Sequence, residues 1–261
     1  MSFFHHCGKT HVGKVRKLNE DSLISVEELG VFVVADGMGG HSGGDFASQT
    51  VVAQIDRMDR GMPSGEAMRA VRTAMLESHY AIQVEAERRG GGTIGSTAIA
   101  LILSEPHFAC LWVGDSRLYM CRDGQLIQLS RDHSLVNDLF DSGQITAEEI
   151  DSHPHGNVIT RAVGVGDTLE IDKIRGTYEP GDRFLLCSDG LSGYASHADI
   201  QYAMASAPIT SVCDELISLA LDGGGRVVVE GLLSAARRKS GDDAAIRHIV
   251  EHGVFFGDAQ G

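Results

Sequence analysis

Two segments of the chain share one arrangement. VFVVADGMGG, residues 31–40, and FLLCSDGLSG, residues 184–193, each run an apolar stretch straight into an aspartate that precedes a glycine, at Asp36-Gly37 and Asp189-Gly190. A third segment, LWVGDSRLYM, places Asp115 in or just after another apolar run. A hard divalent cation such as Mg2+ or Mn2+ takes oxygen ligands and keeps several waters beside a few carboxylates. Strand ends can fix such carboxylates close together, and glycines let backbone carbonyls and water approach. One Asp-Gly after an apolar run is an ordinary turn; two matching copies and a third carboxylate point beyond turns. Near the N-terminus, GKVRKLNEDS adds Arg16, Glu20 and Asp21. A guanidinium fork can hold a phosphate through two bonds, and carboxylates beside a metal site can orient its waters. On its own such a mixed-charge run is a solvated face.

The elements that must position these groups are legible in outline. SLISVEELGVFVVAD predicts a strand, a turn at Leu29-Gly30, and a buried strand ending at Asp36. DFASQTVVAQIDRMD then carries apolar residues at near-helical spacing, which predicts a helix from Asp45 to about Asp59 with Asp45 at its N-cap. A second helix fits SGEAMRAVRTAMLESHYAIQVEAERR, capped by Ser64. GGGTIGSTAIALIL predicts a glycine turn feeding a strand, and HFACLWVGDSRLYMCRDGQLIQLS two more strands around the hairpin signal CRDGQ. The polar, Pro154-broken segment HSLVNDLFDSGQITAEEIDSHPHGN reads as a surface insertion. SHADIQYAMAS and SVCDELISLALDGGG predict two further helices, the second ended by glycines. Short strands in hairpin-like succession with long helices between groups of them favour an α+β layered domain.

At 261 residues and 43% apolar composition, one large domain with an ample core is expected. A formal net charge of −14 argues against nucleic acid, whose binders need a basic face. Cys7, Cys110, Cys121, Cys187 and Cys213 show no paired spacing, so reduced thiols are expected. The N-terminus has no apolar signal core, and no window reaches the roughly 18 to 20 apolar residues that span a bilayer. A cytoplasmic monomer without membrane contact is the expectation. The His5-His6 pair is read as neither a metal ligand nor a tag remnant.

VRKLNEDS, VADGMGGHSGGDFAS, GSTA, WVGDSRLY, LSRDHS, NVITRAVG and GDRFLLCSDGL occur in the order and spacing of the PPM family, which the chain resembles: the metal-dependent type 2C serine/threonine protein phosphatases. The resemblance covers about residues 9–221, and HVGKVRKLNEDS with NVITRAVG is similar in particular to bacterial members encoded with type VI secretion systems. It implies a four-layer α-β-β-α sandwich, two antiparallel sheets flanked by helices, with metals in a cleft at one end. It implies two Mn2+ or Mg2+ ions, and a third, weaker one. Asp36 would bridge two ions, Gly37 would offer its carbonyl, Asp189 would complete one shell, and Asp115 would serve the third ion. Arg16 would hold the phosphate, and Glu20 and Asp21 would support metal-bound waters. Thr160 and Arg161 would follow a flap at about residues 133–157 that shapes access. Water activated between the ions would hydrolyse phosphoserine or phosphothreonine on proteins, opposing a Ser/Thr kinase. Met38 stands where eukaryotic members carry a proton-donating histidine; His41 is a candidate acid, and a metal-bound water is another.

One feature of the family pattern is missing. Its last motif, of the form GGRDNITVIVV, supplies a third carboxylate, yet here LDGGGRVVVEGLL lacks the Asp-Asn. Either the ligand has moved to Asp242 in SGDDAAIRHIV, the favoured reading, or it is absent; Asp222 is a weaker substitute. Residues 1–230 are thus expected to form the phosphatase domain, and 231–261 a displaced last strand or a tail. The competing functions are an active protein phosphatase, an inactive phosphoprotein-binding regulator of the same fold, and a phosphoesterase for small molecules.

Overall fold

The computed structural model describes residues 4–13, 18–40, 43–150, 153–224 and 228–235. The chain opens with β1 (Phe4–His11) and β2 (Asp21–Val26), then a 3-10 turn, Glu27–Leu29, and β3 (Val31–Met38). Two helices follow, α1 (Gly43–Asp56) and α2 (Ser64–Arg88). Next come β4 (Gly95–Ser96), β5 (Ala98–Ser104), β6 (His107–Val113), β7 (Arg117–Arg122) and β8 (Gln125–Gln128). The segment expected as a flap carries two short helices, α3 (Leu135–Asp141) and α4 (Ala147–Ile150). The rest is β9 (Asp172–Thr177), β10 (Arg183–Cys187), α5 (Asp189–Ser192), α6 (His197–Ser206), α7 (Val212–Asp222) and β11 (Val228–Ala235).

Two antiparallel sheets result, one ordered β1-β11-β10-β7-β8 and the other β2-β3-β5-β6-β9, with β4 extending β3. Alternation along β3 shows how they stack. Val31, Val33 and Ala35 pack with Val51 and Ile55 of α1 and Val71 and Met75 of α2, while Phe32 and Val34 face the opposite way. There they meet Ile99, Leu101 and Trp112 of their own sheet and Leu118, Met120, Phe184 and Leu186 of the other. The far face of that second sheet, with Tyr119, Leu185 and Cys187, is covered by α6 and α7 through Ile200, Met204 and Leu216. The layers run α-β-β-α. Both faces of β3 and β10 are buried, so neither strand alternates in polarity, and each reads as a continuous apolar run.

Several local expectations are corrected. The first helix starts at Gly43, two residues before the expected cap, and Asp45 lies in its first turn, where its Oδ1 accepts from the Phe46 N–H at 2.8 Å. The second helix begins at Ser64 itself, with Pro63 in the cap position. β3 passes Asp36 by two residues, because Gly37 and Met38 pair with Ser96 and Gly95. Three strands, not two, occupy residues 107–128. Cys7 and Cys213 form a disulfide across 206 residues of sequence, against the expectation of reduced thiols; it ties β1 to α7. β11 lies centrally between β1 and β10 and runs through residue 230, so the expected boundary there falls inside a strand. No helix among the described residues is long and apolar enough to cross a membrane.

Candidate active site

Asp36 follows the five buried residues that open β3 and lies directly opposite Asp21, the first residue of β2. Asp115 sits in the loop between β6 and β7, and Asp189 opens α5 after β10. The loops of both sheets therefore deliver carboxylates to one end of the sandwich. Their proximity is visible in Asp36: burial, the negative charges of Asp21, Asp189 and Asp115, and a hydrogen bond with Asp21 push its carboxyl well above the ordinary range. Asp115 is pushed up to about 7, by burial first and then by Asp189 and Asp132. Like charges gathered out of bulk water raise each other in this way.

The backbone around Asp36 is closely fixed. Its N–H donates to Thr97 Oγ1 at 2.9 Å, and its carbonyl accepts from the Thr97 N–H at 2.8 Å and from Ser96 Oγ at 3.1 Å. Thr97 Oγ1 is 2.7 Å from Ser116 Oγ, which joins the Asp36 strand end to the Asp115 loop. Ser188 Oγ donates to Asp21 Oδ2 at 3.0 Å, linking the residue before Asp189 to the opposite sheet. Gly37 is pinched between α1 and the chain before β2. Its N–H donates to the Glu20 carbonyl at 3.0 Å, and an added Cβ would lie 1.9 Å from the Gly44 carbonyl oxygen. A Cβ on Gly44 would meet Glu20 Oε1 at 2.6 Å, so the Glu20 carboxylate also lies at this junction.

The structure thus brings together Asp36, Gly37, Asp189, Asp115, Glu20 and Asp21. Arg16, His41 and Asp242 lie outside the described residues. Thr97, Ser116 and Ser188 were not singled out as site residues, although each stands in one of the motifs GSTA, VGDS or CSDG, within two residues of a glycine or an aspartate. Their signal was adjacency, and their partners were hidden in tertiary structure.

The carboxylates gathered here offer oxygen, and burial together with their mutual negative charge raises Asp36 and Asp115, which fits hard divalent cations. Among the described residues no group of three or more His, Cys, Asp or Glu side chains is arranged to hold a metal ion by itself. Beside it, under the flap, is a cavity of about 650 Å3 lined by Arg117, Asp132, Ser134, Asn137, Ile150 and Gly193 among others. Burial opposes the Arg117 charge, and Asp132, bonded to its Nε and Nη2, more than offsets that, raising Arg117 above its ordinary value.

A family model described as protein phosphatase 2C matches residues 7–220. The chain is 38% identical to the serine/threonine protein phosphatase PstP of Mycobacterium tuberculosis over 222 residues, covering 84% of this chain and 42% of that protein. It is 31% identical to the serine/threonine phosphatase Stp of Listeria monocytogenes, covering 86% of this chain and 93% of that one. Among solved structures, one described as PppA, a key regulatory component of T6SS in Pseudomonas aeruginosa, superposes with a TM-score of 0.82 at 37% identity, covering 90% of this chain and 98% of that one. The catalytic domain of PstP in complex with two manganese ions superposes with a TM-score of 0.80 at 33% identity, covering 90% and 99%.

Proposed function

Because the chain belongs to the protein phosphatase 2C family, we propose that it is a metal-dependent serine/threonine protein phosphatase that reverses a Ser/Thr kinase, in a bacterial cytoplasm and in connection with type VI secretion. The convergence of Asp21, Asp36, Asp115 and Asp189 at one end of the sandwich carries the reading. Similarity to PppA supports the secretion context. The manganese-bound PstP domain supports the choice of cofactor.

Asp36, the Gly37 carbonyl and Asp189 would hold two Mn2+ or Mg2+ ions, with Asp115 for a third and Asp242 as the displaced last ligand. Bound there, the ions would neutralise phosphate charge and acidify water in the cleft. Glu20 and Asp21 orient that water, and the hydroxyls of Thr97, Ser116 and Ser188 keep the carboxylates in place. Arg16 binds the phosphoryl oxygens as a two-pronged donor. Water adds to phosphorus as the bond to the serine or threonine oxygen breaks, giving free hydroxyl and inorganic phosphate. The leaving oxygen needs a proton, and His41 is the candidate donor within a motif whose Met38 has none to give. The cavity under the flap takes the polypeptide on either side of the phosphorylated residue.

The test is Mn2+-dependent hydrolysis of p-nitrophenyl phosphate and of a phosphothreonine peptide by wild type, Asp36→Asn and Asp242→Asn. Turnover in wild type and its loss in Asp36→Asn are expected. No turnover at millimolar Mn2+ together with phosphopeptide binding would replace the enzyme with a binding regulator. Unchanged turnover in Asp242→Asn would remove that residue from the ligand set.

A further inference from the structure

Hydrolysis as described above leaves His133, in the RDHS of residues 131–134, without a role. This histidine is buried and grips the residue before Asp115 from both sides. The His133 backbone N–H donates to the Gly114 carbonyl at 3.0 Å, and His133 Nδ1 accepts from the Gly114 N–H at 3.0 Å. Gly114 has φ of +104°, and a Cβ there would lie 2.6 Å from Thr97 Cγ2, so the bend that presents Asp115 suits glycine and is fixed by one residue.

The other edge of the ring points toward the flap roots. With Nδ1 accepting, the ring proton sits on Nε2, which lies 3.3 Å from Asp172 Oδ2, a close contact without the alignment of a hydrogen bond. Asp172 stands opposite Trp112 in the β6–β9 register, and its Oδ1 accepts from Arg161 Nη1 at 3.1 Å. The His133 carbonyl accepts from the Thr160 N–H at 2.9 Å, and Ser134 bridges to Ile159. Both roots of the flap therefore close on the residue that fixes Gly114. The imidazole also lies nearly parallel to the Trp112 ring, with centroids 6.1 Å apart and planes 15° apart, and Trp112 is the chain's single tryptophan.

We propose that His133 is a positioning residue that sets Asp115 through Gly114 and joins it to the flap roots, so that cation binding at Asp115 depends on the His133–Asp172 contact. The proposal rests on the reading of Asp115 as an ion ligand given above. His133 itself touches neither ion nor substrate.

Trp112 supplies a readout independent of turnover. Mn2+ titrations followed by Trp112 fluorescence would compare wild type, Asp115→Asn, His133→Ala, His133→Asn, Asp172→Asn and the double variant Asp115→Asn/His133→Ala, with circular dichroism monitoring the fold. His133→Ala, which leaves the Gly114 N–H without its acceptor, should raise the Mn2+ midpoint roughly tenfold, equivalent to about 1.4 kcal/mol. His133→Asn, whose Oδ1 can accept from Gly114, should recover most of it, and Asp172→Asn should fall between. In the Asp115→Asn background His133→Ala should add nothing. An unchanged midpoint in His133→Ala, or an equal further shift on top of Asp115→Asn, overturns the proposal while leaving Asp115 a ligand. A wild-type midpoint in Asp115→Asn overturns the ligand reading, and this proposal with it. Should His133→Ala fail to fold, His133→Asn against Asp172→Asn decides: a wild-type midpoint in Asp172→Asn refutes the link.

Discussion

Replacing Gly37 with alanine isolates the packing that places the Asp36 carboxylate. The new methyl carbon would stand 1.9 Å from the Gly44 carbonyl oxygen, 2.4 Å from the Gly44 carbonyl carbon and 2.6 Å from the Glu20 carbonyl oxygen. All three are backbone atoms, so no side chain can rotate away. Relief requires the first turn of α1 and the chain before β2 to retreat from β3, which strains the 3.0 Å bond from the Gly37 N–H to Glu20. Overpacking of this kind costs about 1–3 kcal/mol, and a weakened backbone hydrogen bond adds about 1 kcal/mol. At about 2–4 °C per kcal/mol for a chain of this size, the melting temperature should fall by roughly 4–16 °C. Gly40→Ala is the matched control, since nothing lies within 4 Å of its Cβ position and its φ is ordinary. It should stay within about 1 kcal/mol of wild type, on either side. Thermal unfolding by circular dichroism, with EDTA and with Mn2+, measures both, and p-nitrophenyl phosphate turnover in Gly37→Ala should fall further than its folded fraction does. A Gly37→Ala melting point within about 2 °C of wild type, less than a 1 kcal/mol effect, would refute the pinch.

Asp36→Asn should raise the melting temperature of the metal-free protein, since it removes one of four mutually repelling carboxylates, and should abolish turnover; a lower melting point in EDTA would contradict the repulsion. The carboxyl of Asp115 sits at about 7 when folded and near 4 when unfolded, so its contribution to metal-free stability is full below about pH 4 and lost as pH rises toward 7. In EDTA, Asp115→Asn should therefore gain on wild type between pH 5 and pH 7, by at most about 1.4 kcal/mol per pH unit, and a gap constant with pH would count against it. Leu101→Ala, in the fully buried layer between the sheets, should cost about 2–5 kcal/mol by denaturant unfolding, with Mn2+ affinity preserved in the folded fraction. Dithiothreitol should lower the melting temperature of wild type and leave Cys213→Ser unmoved, because the bridge to Cys7 closes a loop spanning 206 residues.

The parts of the site readable in the sequence were those where local pattern and tertiary role coincide. A strand buried on both faces must be apolar throughout, so VFVV and FLLC announce themselves, and the aspartates where the runs stop mark the end of the sandwich. The hairpin turn at Asp123-Gly124 between β7 and β8 was readable for the same local reason. What escaped was set by distant partners. Capping preference favours Asp45 as the start of α1, but the helix already includes Gly43 and Gly44, which pack against Ile94 and Gly37. The Cys7–Cys213 pairing and the central place of β11 depend on which strands become neighbours, which no window of sequence records.

The anchors that hold the carboxylates have a chemical logic of their own. Thr97, Ser116 and Ser188 are neutral hydroxyls, Gly114 is gripped by a ring nitrogen that accepts, and the remaining contacts around the Asp36 backbone are amides, carbonyls and the Ser96 hydroxyl. Arg117, two residues from Asp115, is committed to Asp132 through Nε and Nη2, and its Nη1 donates to the Tyr119 hydroxyl. A lysine or arginine paired to Asp36 or Asp115 would stabilise the metal-free fold, but it would also neutralise the charge that draws in a divalent cation. Burial raises both carboxyls first and the neighbouring carboxylates add to it; neutral anchors fix geometry without cancelling that negative potential. The packed layers behind the site offset that repulsion. Serine or threonine to alanine at these anchors should therefore weaken Mn2+ binding through geometry without stabilising the EDTA-treated protein, whereas Asp115→Asn should stabilise that protein and weaken Mn2+ binding together. A gain in metal-free stability from Thr97→Ala or Ser188→Ala would refute the neutral-anchor argument.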